Sequence, residues 1–155
     1  MSDQLRAADL EAVRQQLGRE PTTLFSVVAR CTGGHPLVIR NRPLDADGRP
    51  FPTIYWLTCP DAVKAVSRLE SEGWIARLND DPAIVAGVDE AHRGYAKERG
   101  EMLPGAERWG GVGGTRQGIK CLHAQYAHHL LCECNPVGAW VADQIGDVHQ
   151  SPPCV

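Results

Sequence analysis

The sequence predicts an α+β protein in which a small N-terminal antiparallel sheet of about three strands packs against four to five helices. Two observations support this prediction. The β-branched and aromatic runs lie in the first sixty residues or so, and most of the helical apolar patterns follow them. Strands and helices that are segregated along the chain are typical of α+β folds, whereas strict alternation would indicate a parallel sheet.

Length and composition limit the classes of protein to consider. With 155 residues, 43% hydrophobic and 23% charged, the chain suits one domain over residues 1–155. The net charge of −3 argues against a nucleic-acid partner. No apolar run reaches the roughly 18 residues that a membrane span needs, and the N-terminus lacks the apolar segment of a secretory signal. We therefore expect a cytoplasmic protein with reduced thiols.

The first third of the chain carries the strand signals. An amphipathic helix is predicted over residues 9–17, within an N-terminal helical segment of residues 1–20. Residues 24–30 and 36–40 are apolar and β-branched, and the sequence Cys-Thr-Gly-Gly-His between them predicts the turn of a hairpin. Residues 51–58 are aromatic and β-branched and predict a third strand.

Helix start signals organise the rest of the chain. Pro60 stands at a predicted first helical position, where the missing N–H needs no partner. Asn79-Asp80-Asp81-Pro82 predicts another helix start, and Asn135-Pro136 ends one helix before the last one begins. Helices are predicted over residues 60–73, with an apolar continuation at 74–78, and over residues 82–102, 119–131 and 136–145. Residues 103–118 form a long glycine-rich connection, of a kind that is usually functional or mobile. Residues 147–155 are expected to form a flexible tail.

The cysteines are the most informative residues, because thiols that stay reduced are commonly buried, reactive or metal-bound. They are Cys31, Cys59, Cys121, Cys132, Cys134 and Cys154. Cys31 lies in the predicted turn, while Cys59 and Cys121 stand at predicted helix starts, where the helix dipole favours a thiolate. Three thiolates that converge with one histidine form a tetrahedral zinc site, or an iron–sulfur site with one substitute ligand. The alternative is three small buried thiols.

The fourth ligand of such a site is His123 or His35. His128 shares a face of the predicted helix with Cys121 but lies about 10 Å farther along its axis, which is too far for one ion unless the helix starts later. The predicted metal ligands are therefore Cys31, Cys59, Cys121 and His123.

Two weaker patterns involve the same residue types. A cysteine activated by a neighbouring histidine would be a nucleophile, but the sequence names no third group to orient the pair. Cys132-x-Cys134 resembles a pair of metal ligands, but it stands near a predicted helix end and receives no role.

The glycine-rich connection also predicts an anion site. It leads into a predicted helix start, where free N–H groups attract anions, and glycine allows a phosphate to come close. We expect Gly113, Gly114, Arg116 and Lys120 to bind an anion or a phosphorylated small molecule. The spacing departs from a P-loop, because an extra residue precedes the lysine and no Ser or Thr follows it, so nucleotide hydrolysis is rejected. The alternative is a flexible linker.

Several blocks of the chain resemble DUF501, a domain family of unknown function found mainly in actinobacteria. The blocks span residues 27–41, 48–73 and 110–140 and include PFPT.YWLTCP, AVSRLE..G, GGVGGTR.GIKCLHA.YAHHL and NPVG.WV. The family pattern covers Cys31, Cys59 and Cys121 together with His123. Cys132, Cys134 and Cys154 lie outside it.

The resemblance implies no known activity, but it supports a site of the Cys₃His type. Genes of the family tend to lie beside those for a septum-formation initiator and an exopolyphosphatase, which suggests a link to cell division, the envelope or phosphate metabolism. Three functions stay open. They are a zinc or iron–sulfur protein, an enzyme that acts on a phosphorylated or acidic small molecule through Arg116 and Lys120, and a structural module that binds a protein partner.

Overall fold

The computed structural model describes the backbone of residues 2–148 and the side chains of residues 7–148. Within this range the elements are α1 (Ser2–Leu17), β1 (Phe25–Arg30), β2 (Pro36–Asn41), β3 (Tyr55–Leu57), α2 (Pro60–Ser71), α3 (Trp74–Asn79), α4 (Pro82–Met102), α5 (Leu122–Cys132) and α6 (Pro136–Ile145). Two short 3₁₀ turns, Ala106–Trp109 and Val112–Gly114, lie between α4 and α5. The α+β prediction is confirmed.

The sheet is antiparallel with the strand order β1-β2-β3. Its central strand, β2, begins with four consecutive buried residues, Pro36, Leu37, Val38 and Ile39. Because side chains alternate between the faces of a strand, both faces of the sheet must be covered there. Contacts of α1 with β2, and of α5 with β1 and β3, supply that cover. The helix α5 also packs against α2 and α6, so it lies at the centre of the molecule.

The predicted hairpin is present. The Cys31 N–H donates to the His35 carbonyl at 3.0 Å, which closes the turn between β1 and β2. The helix before it begins at Ser2, earlier than the predicted residue 9. An ion pair with N···O distances of 2.8 and 3.0 Å between Arg30 of β1 and Asp9 of α1 ties the two elements together.

The third strand is shorter than predicted, because only Tyr55–Leu57 pairs with β2. Pro52 has no N–H to give to a sheet. The Phe51 N–H donates instead to the Pro43 carbonyl, at 2.7 Å, outside the sheet.

The helices that open on proline begin where the sequence predicts, at Pro60, Pro82 and Pro136. Residues 74–78, the predicted apolar continuation beyond Gly73, form most of the separate helix α3. The break occurs at Gly73, whose φ of 85° is left-handed and is accessible to glycine at little cost. Over residues 2–148, no helix is both long and apolar enough to cross a bilayer, as predicted. Residues 149–155, which include Cys154 and most of the predicted tail, lie outside the described range.

Arg99 of α4 anchors the glycine-rich connection. The side chain is fully buried, and its guanidinium donates four hydrogen bonds of 2.6 to 3.1 Å to backbone carbonyls. The acceptors are the carbonyls of Pro52, Ala106, Gly110 and Gly111. A single cation therefore replaces the regular backbone pairing that this segment lacks.

His92, also on α4, holds the second half of the connection. The Val112 N–H donates to its Nδ1 at 2.9 Å, so the hydrogen of the neutral ring lies on Nε2, which donates to the Gly118 carbonyl at 2.7 Å. Gly111 allows this close approach, since a Cβ at that position would lie 2.4 Å from the His92 Cβ. The connection therefore has defined anchor points at both ends.

Candidate metal centre

Three side chains meet where α2 packs against α5. Glu70 lies in the last turn of α2, Cys121 is the residue that caps α5, and His123 is in the first turn of α5. One potential ligand atom from each lies within 4.8 Å of the others. The His123 Nδ1 is 3.1 Å from Glu70 Oε2 and 3.8 Å from Cys121 Sγ. A carboxylate and a thiol therefore approach the same ring nitrogen.

Glu70 is fixed in this position by a backbone contact. The Cys121 side chain makes no capping hydrogen bond to α5, so the first N–H groups of that helix need another acceptor. Glu70 supplies it, because its Oε2 accepts the Leu122 N–H at 2.8 Å. The negative charge also complements the positive end of the α5 dipole. The carboxylate thus docks α2 onto α5 and brings an oxygen to His123.

The second ring nitrogen of His123 faces α2. Its Nε2 lies 3.1 Å from Ser67 Oγ and 3.3 Å from the Val63 carbonyl oxygen, and both oxygens accept hydrogen bonds. When Nε2 carries the hydrogen and donates it to them, Nδ1 has a lone pair that points toward Glu70 and Cys121. Metal-bound histidines usually donate their other N–H to a carbonyl or carboxylate in this way.

The surroundings of His123 favour positive charge. Burial alone would lower its pKa, but the hydrogen bond with Cys121 and the charge of Glu70 raise that pKa above the usual value. Nδ1, which lies between two groups that can be anionic, therefore offers a place for a proton or, instead, for a cation.

The cluster opens into a cleft of about 470 Å³. Trp56, Leu57 and Val63 form an apolar wall, and Lys120 lines the cleft beside Cys121 and His123. Gly113, another of the predicted anion-binding residues, also lines it.

The other two residues of the predicted anion site lie elsewhere. Arg116 lines a second cleft, of about 530 Å³, together with Arg93 and Arg108. Gly114 packs toward Pro52, because a Cβ at Gly114 would lie 3.5 Å from the Pro52 Cβ. The four residues are therefore divided among different surroundings.

Cys31 and Cys59 are not part of the cluster. Cys31 lies at the hairpin turn with its Sγ 3.7 Å from His35 Nδ1, and Cys59 is fully buried at the start of α2. Neither belongs to the groups of three or more potential metal ligands that the described residues form. Of the predicted Cys₃His set, the structure brings together Cys121 and His123. Sequence reasoning missed Glu70, and its place in the AVSRLE block was the signal that could have identified it.

A second group that could hold a metal lies at the other end of α5. Ligand atoms of His128, Cys132 and Cys134 are within 4.8 Å of one another. However, a disulfide joins Cys132 to Cys134, so these two cysteines are not the reduced thiols that the sequence led us to expect. Metal binding requires thiolates, so this group is a potential metal site only after reduction.

The fold and the cluster define a small α+β protein with a Cys/His/Glu group at a helix–helix junction. The chain belongs to the family described as "Protein of unknown function (DUF501)", whose family model matches residues 27–143. This match confirms the resemblance seen in the sequence, and it covers Glu70, Cys121 and His123. Searches of curated proteins and of solved structures found no match.

Proposed function

We propose that this protein binds a single zinc ion through Glu70, Cys121 and His123. The observation that carries the proposal is the approach of Glu70 Oε2 and Cys121 Sγ to the same nitrogen, His123 Nδ1, at 3.1 and 3.8 Å. Carboxylate oxygen, thiolate sulfur and imidazole nitrogen are all zinc ligands, and sites with three protein ligands keep a fourth position open.

The contacts around the three ligands agree with this assignment. Zinc would take the place of the proton between His123 and Glu70. The Leu122 N–H would continue to orient the ligating carboxylate, at 2.8 Å. The Nε2 hydrogen of His123 would be accepted by Ser67 Oγ or the Val63 carbonyl. Such outer hydrogen bonds hold metal ligands in orientation.

Zinc fits this donor set better than an iron–sulfur cluster. Glu70, Cys121 and His123 offer one thiolate among them, whereas iron–sulfur centres are usually held by four. The predicted Cys₃His site would require Cys31 and Cys59 to join Cys121, and it remains a prediction that the experiment below separates from the three-ligand site. A cytoplasmic location, as inferred from the sequence, would keep the Cys121 thiol reduced.

The test is the zinc content of the purified full-length protein, measured by mass spectrometry of the metal. We expect about one equivalent in the wild type and loss of most of it in Glu70→Gln, Cys121→Ser and His123→Gln. Cys31→Ala and Cys59→Ala are the matched controls and should retain zinc. Less than about a tenth of an equivalent in the wild type contradicts the proposal. Loss of zinc in both control variants, in folded form, would instead support the Cys₃His site.

A catalytic serine is an alternative use of the same side chains. Ser67 Oγ, His123 and Glu70 follow one another at 3.1 Å and 3.1 Å, which is the order of a nucleophile, base and acid. This relay leaves the Cys121 thiol beside Nδ1 without a role, whereas zinc binding uses it. Ser67→Ala should retain zinc, and a catalytic serine would instead require the hydrolysis of an acyl ester by the metal-free protein.

Anion binding is another candidate function, and the arginines around Arg116 favour it. Arg93, Arg108 and Arg116 line one cleft, which also contains the carboxylates of Asp89 and Glu107. We expect phosphate to raise the melting temperature, and Arg116→Ala to remove that effect. Lys120→Ala, in the other cleft, should leave it unchanged. If neither variant alters the effect of phosphate, the proposal that these residues bind a phosphorylated or acidic small molecule is wrong.

The last candidate is a module that binds a protein partner and has a purely structural Cys/His cluster. In that case Cys121→Ser should unfold the protein. A folded Cys121→Ser variant that has lost zinc would count against this reading.

A further inference from the structure

The C-terminal end of α5 carries a disulfide whose placement is unusual for a structural bond. Cys132 and Cys134 are separated by one residue, and both reach solvent. A disulfide restrains the unfolded chain less as the loop that it closes becomes shorter, so this bond contributes little to folding. Exposed disulfides of this kind are commonly the labile or catalytic ones.

The residue between the two cysteines has a constrained backbone. Glu133 ends α5 with φ 52°, and among the described residues it is the non-glycine residue with a positive φ. Side chains other than glycine rarely adopt this conformation. The Cys134 N–H also donates to Cys132 Sγ at 3.0 Å. The backbone conformation of Glu133 and this hydrogen bond therefore keep the Cys132 and Cys134 sulfur atoms next to each other.

His128 lies one turn earlier on α5, with its Nε2 4.0 Å from Cys134 Sγ. The position of the ring hydrogen follows from Asn135. The Asn135 Oδ1 accepts the N–H groups of Val137 and Gly138, both at 3.0 Å, so its Nδ2 faces His128 Nδ1 at 3.2 Å and donates to it. Nδ1 is then an acceptor, and the hydrogen of the neutral ring lies on Nε2, directed at the sulfur.

This tautomer suits thiol chemistry better than metal binding. An N–H at Nε2 stabilises a thiolate on Cys134 by a hydrogen bond. A metal ligand at Nε2 would need the hydrogen on Nδ1, where it would face the N–H of Asn135. The thiol of Cys132, by contrast, lies at the negative end of the α5 dipole, which disfavours a thiolate there. Cys134 is therefore the better leaving group of the two.

We propose that Cys132 and Cys134 form a thiol–disulfide exchange centre for low-molecular-weight thiols, with His128 as its positioning residue. A thiolate attacks Cys132 Sγ, a new S–S bond forms, and the Cys132–Cys134 bond breaks with its electron pair on Cys134, beside the His128 N–H. A second thiolate attacks the outer sulfur of the mixed disulfide and releases Cys132 as a thiolate. In sum, the protein disulfide and two thiols give the protein dithiol and one external disulfide. The two thiol protons end on Cys132 and Cys134.

The experiment follows the pair during reduction by glutathione at neutral pH. Free thiols are blocked at intervals, and the full-length protein, with Cys154→Ser to remove one alternative partner, is digested by a protease that cuts after glutamate. Cleavage at Glu133 leaves the oxidised pair as two linked peptides and the reduced pair as two separate ones, and mass spectrometry distinguishes them.

We expect reduction of the pair to be at least about fivefold slower in His128→Gln and His128→Phe, because the leaving thiolate loses its hydrogen bond. His128→Phe keeps an aromatic ring between Tyr55 and Tyr95, so a fold lost in one variant can be retained in the other. His129→Gln is the control on the next residue and should match the wild type. Glutathione disulfide should restore the linked peptides.

Equal reduction rates in all the folded variants would overturn the role of His128. Failure of the pair to close again in glutathione disulfide would overturn the exchange centre. The third contrary result is zinc bound by the reduced pair and lost in His128→Gln, which would make the group a metal site. The Glu70→Gln variant serves in that zinc assay, so the two sites are tested separately.

Discussion

The strongest effect on stability is expected at Arg99. Arg99→Met keeps most of the apolar stem and removes the guanidinium. Three of its four hydrogen bonds, to the carbonyls of Ala106, Gly110 and Gly111, are buried. A buried acceptor that loses its partner costs about 1–3 kcal/mol. In the wild type, the cost of burying the cation offsets part of the free energy that these hydrogen bonds contribute to folding. The same burial lowers the pKa of Arg99. We therefore expect the free energy of unfolding to fall by about 4 kcal/mol.

Urea unfolding followed by circular dichroism measures this loss. The matched control is Arg93→Met, on the exposed face of the same helix, which should change the free energy of unfolding by less than about 0.5 kcal/mol. Hydrogen exchange adds a local readout, since the amides of residues 106–118 should lose protection before those of the sheet. If Arg99→Met costs less than about 1 kcal/mol, the guanidinium does not anchor the connection, and the reasoning fails.

Two further predictions concern the packing of α5. Gly138→Ala should lower the free energy of unfolding by about 3 kcal/mol, measured by thermal or urea unfolding, because its Cβ would lie 2.3 Å from the His129 Cβ. The control Gly94→Ala has open space around it and should be neutral or stabilising. Equal effects of the two variants would contradict the close approach of the helices. Burial, followed by the charges of His92 and His129, lowers the pKa of His128 to about 4. Below about pH 6.5 the unfolded chain takes up a proton at this histidine and the folded protein does not, so the free energy of unfolding should fall by up to about 3 kcal/mol between about pH 6.5 and about pH 4. His128→Gln should flatten that dependence in urea unfolding, and an unchanged slope would refute the assignment.

The elements with local signals could be predicted from the sequence. A proline at the first helical position marks the starts of α2, α4 and α6 because its effect depends on its own backbone alone. The length of β3 could not be predicted in the same way. Its aromatic residues favour a strand over residues 51–58, but pairing depends on which N–H groups β2 can reach, and Pro52 has none.

The part of the candidate site that depends on residues close together in the sequence could also be predicted. Cys121 and His123 are two residues apart, so their proximity is a local property. Glu70 is separated from Leu122 by 52 residues, and its hydrogen bond to that backbone depends on the packing of α2 against α5. The expected convergence of Cys31 and Cys59 rested on residue type and family blocks, which do not specify distance.

The anchors of the glycine-rich connection were also beyond sequence reasoning. Arg99 and His92 lie on α4, where a charged or polar residue ordinarily faces solvent. Both are buried because backbone carbonyls and an N–H of the connection surround them. The abundance of glycine was visible, but the partners that it approaches are set by tertiary packing.

The measurement that tests the central claim most directly is X-ray absorption at the zinc edge of the loaded protein. It counts the sulfur atoms bound to the metal. The Glu70–Cys121–His123 site predicts one sulfur at about 2.3 Å and nitrogen or oxygen ligands at about 2.0–2.2 Å. Three sulfur ligands, or zinc bound with no sulfur, would contradict it.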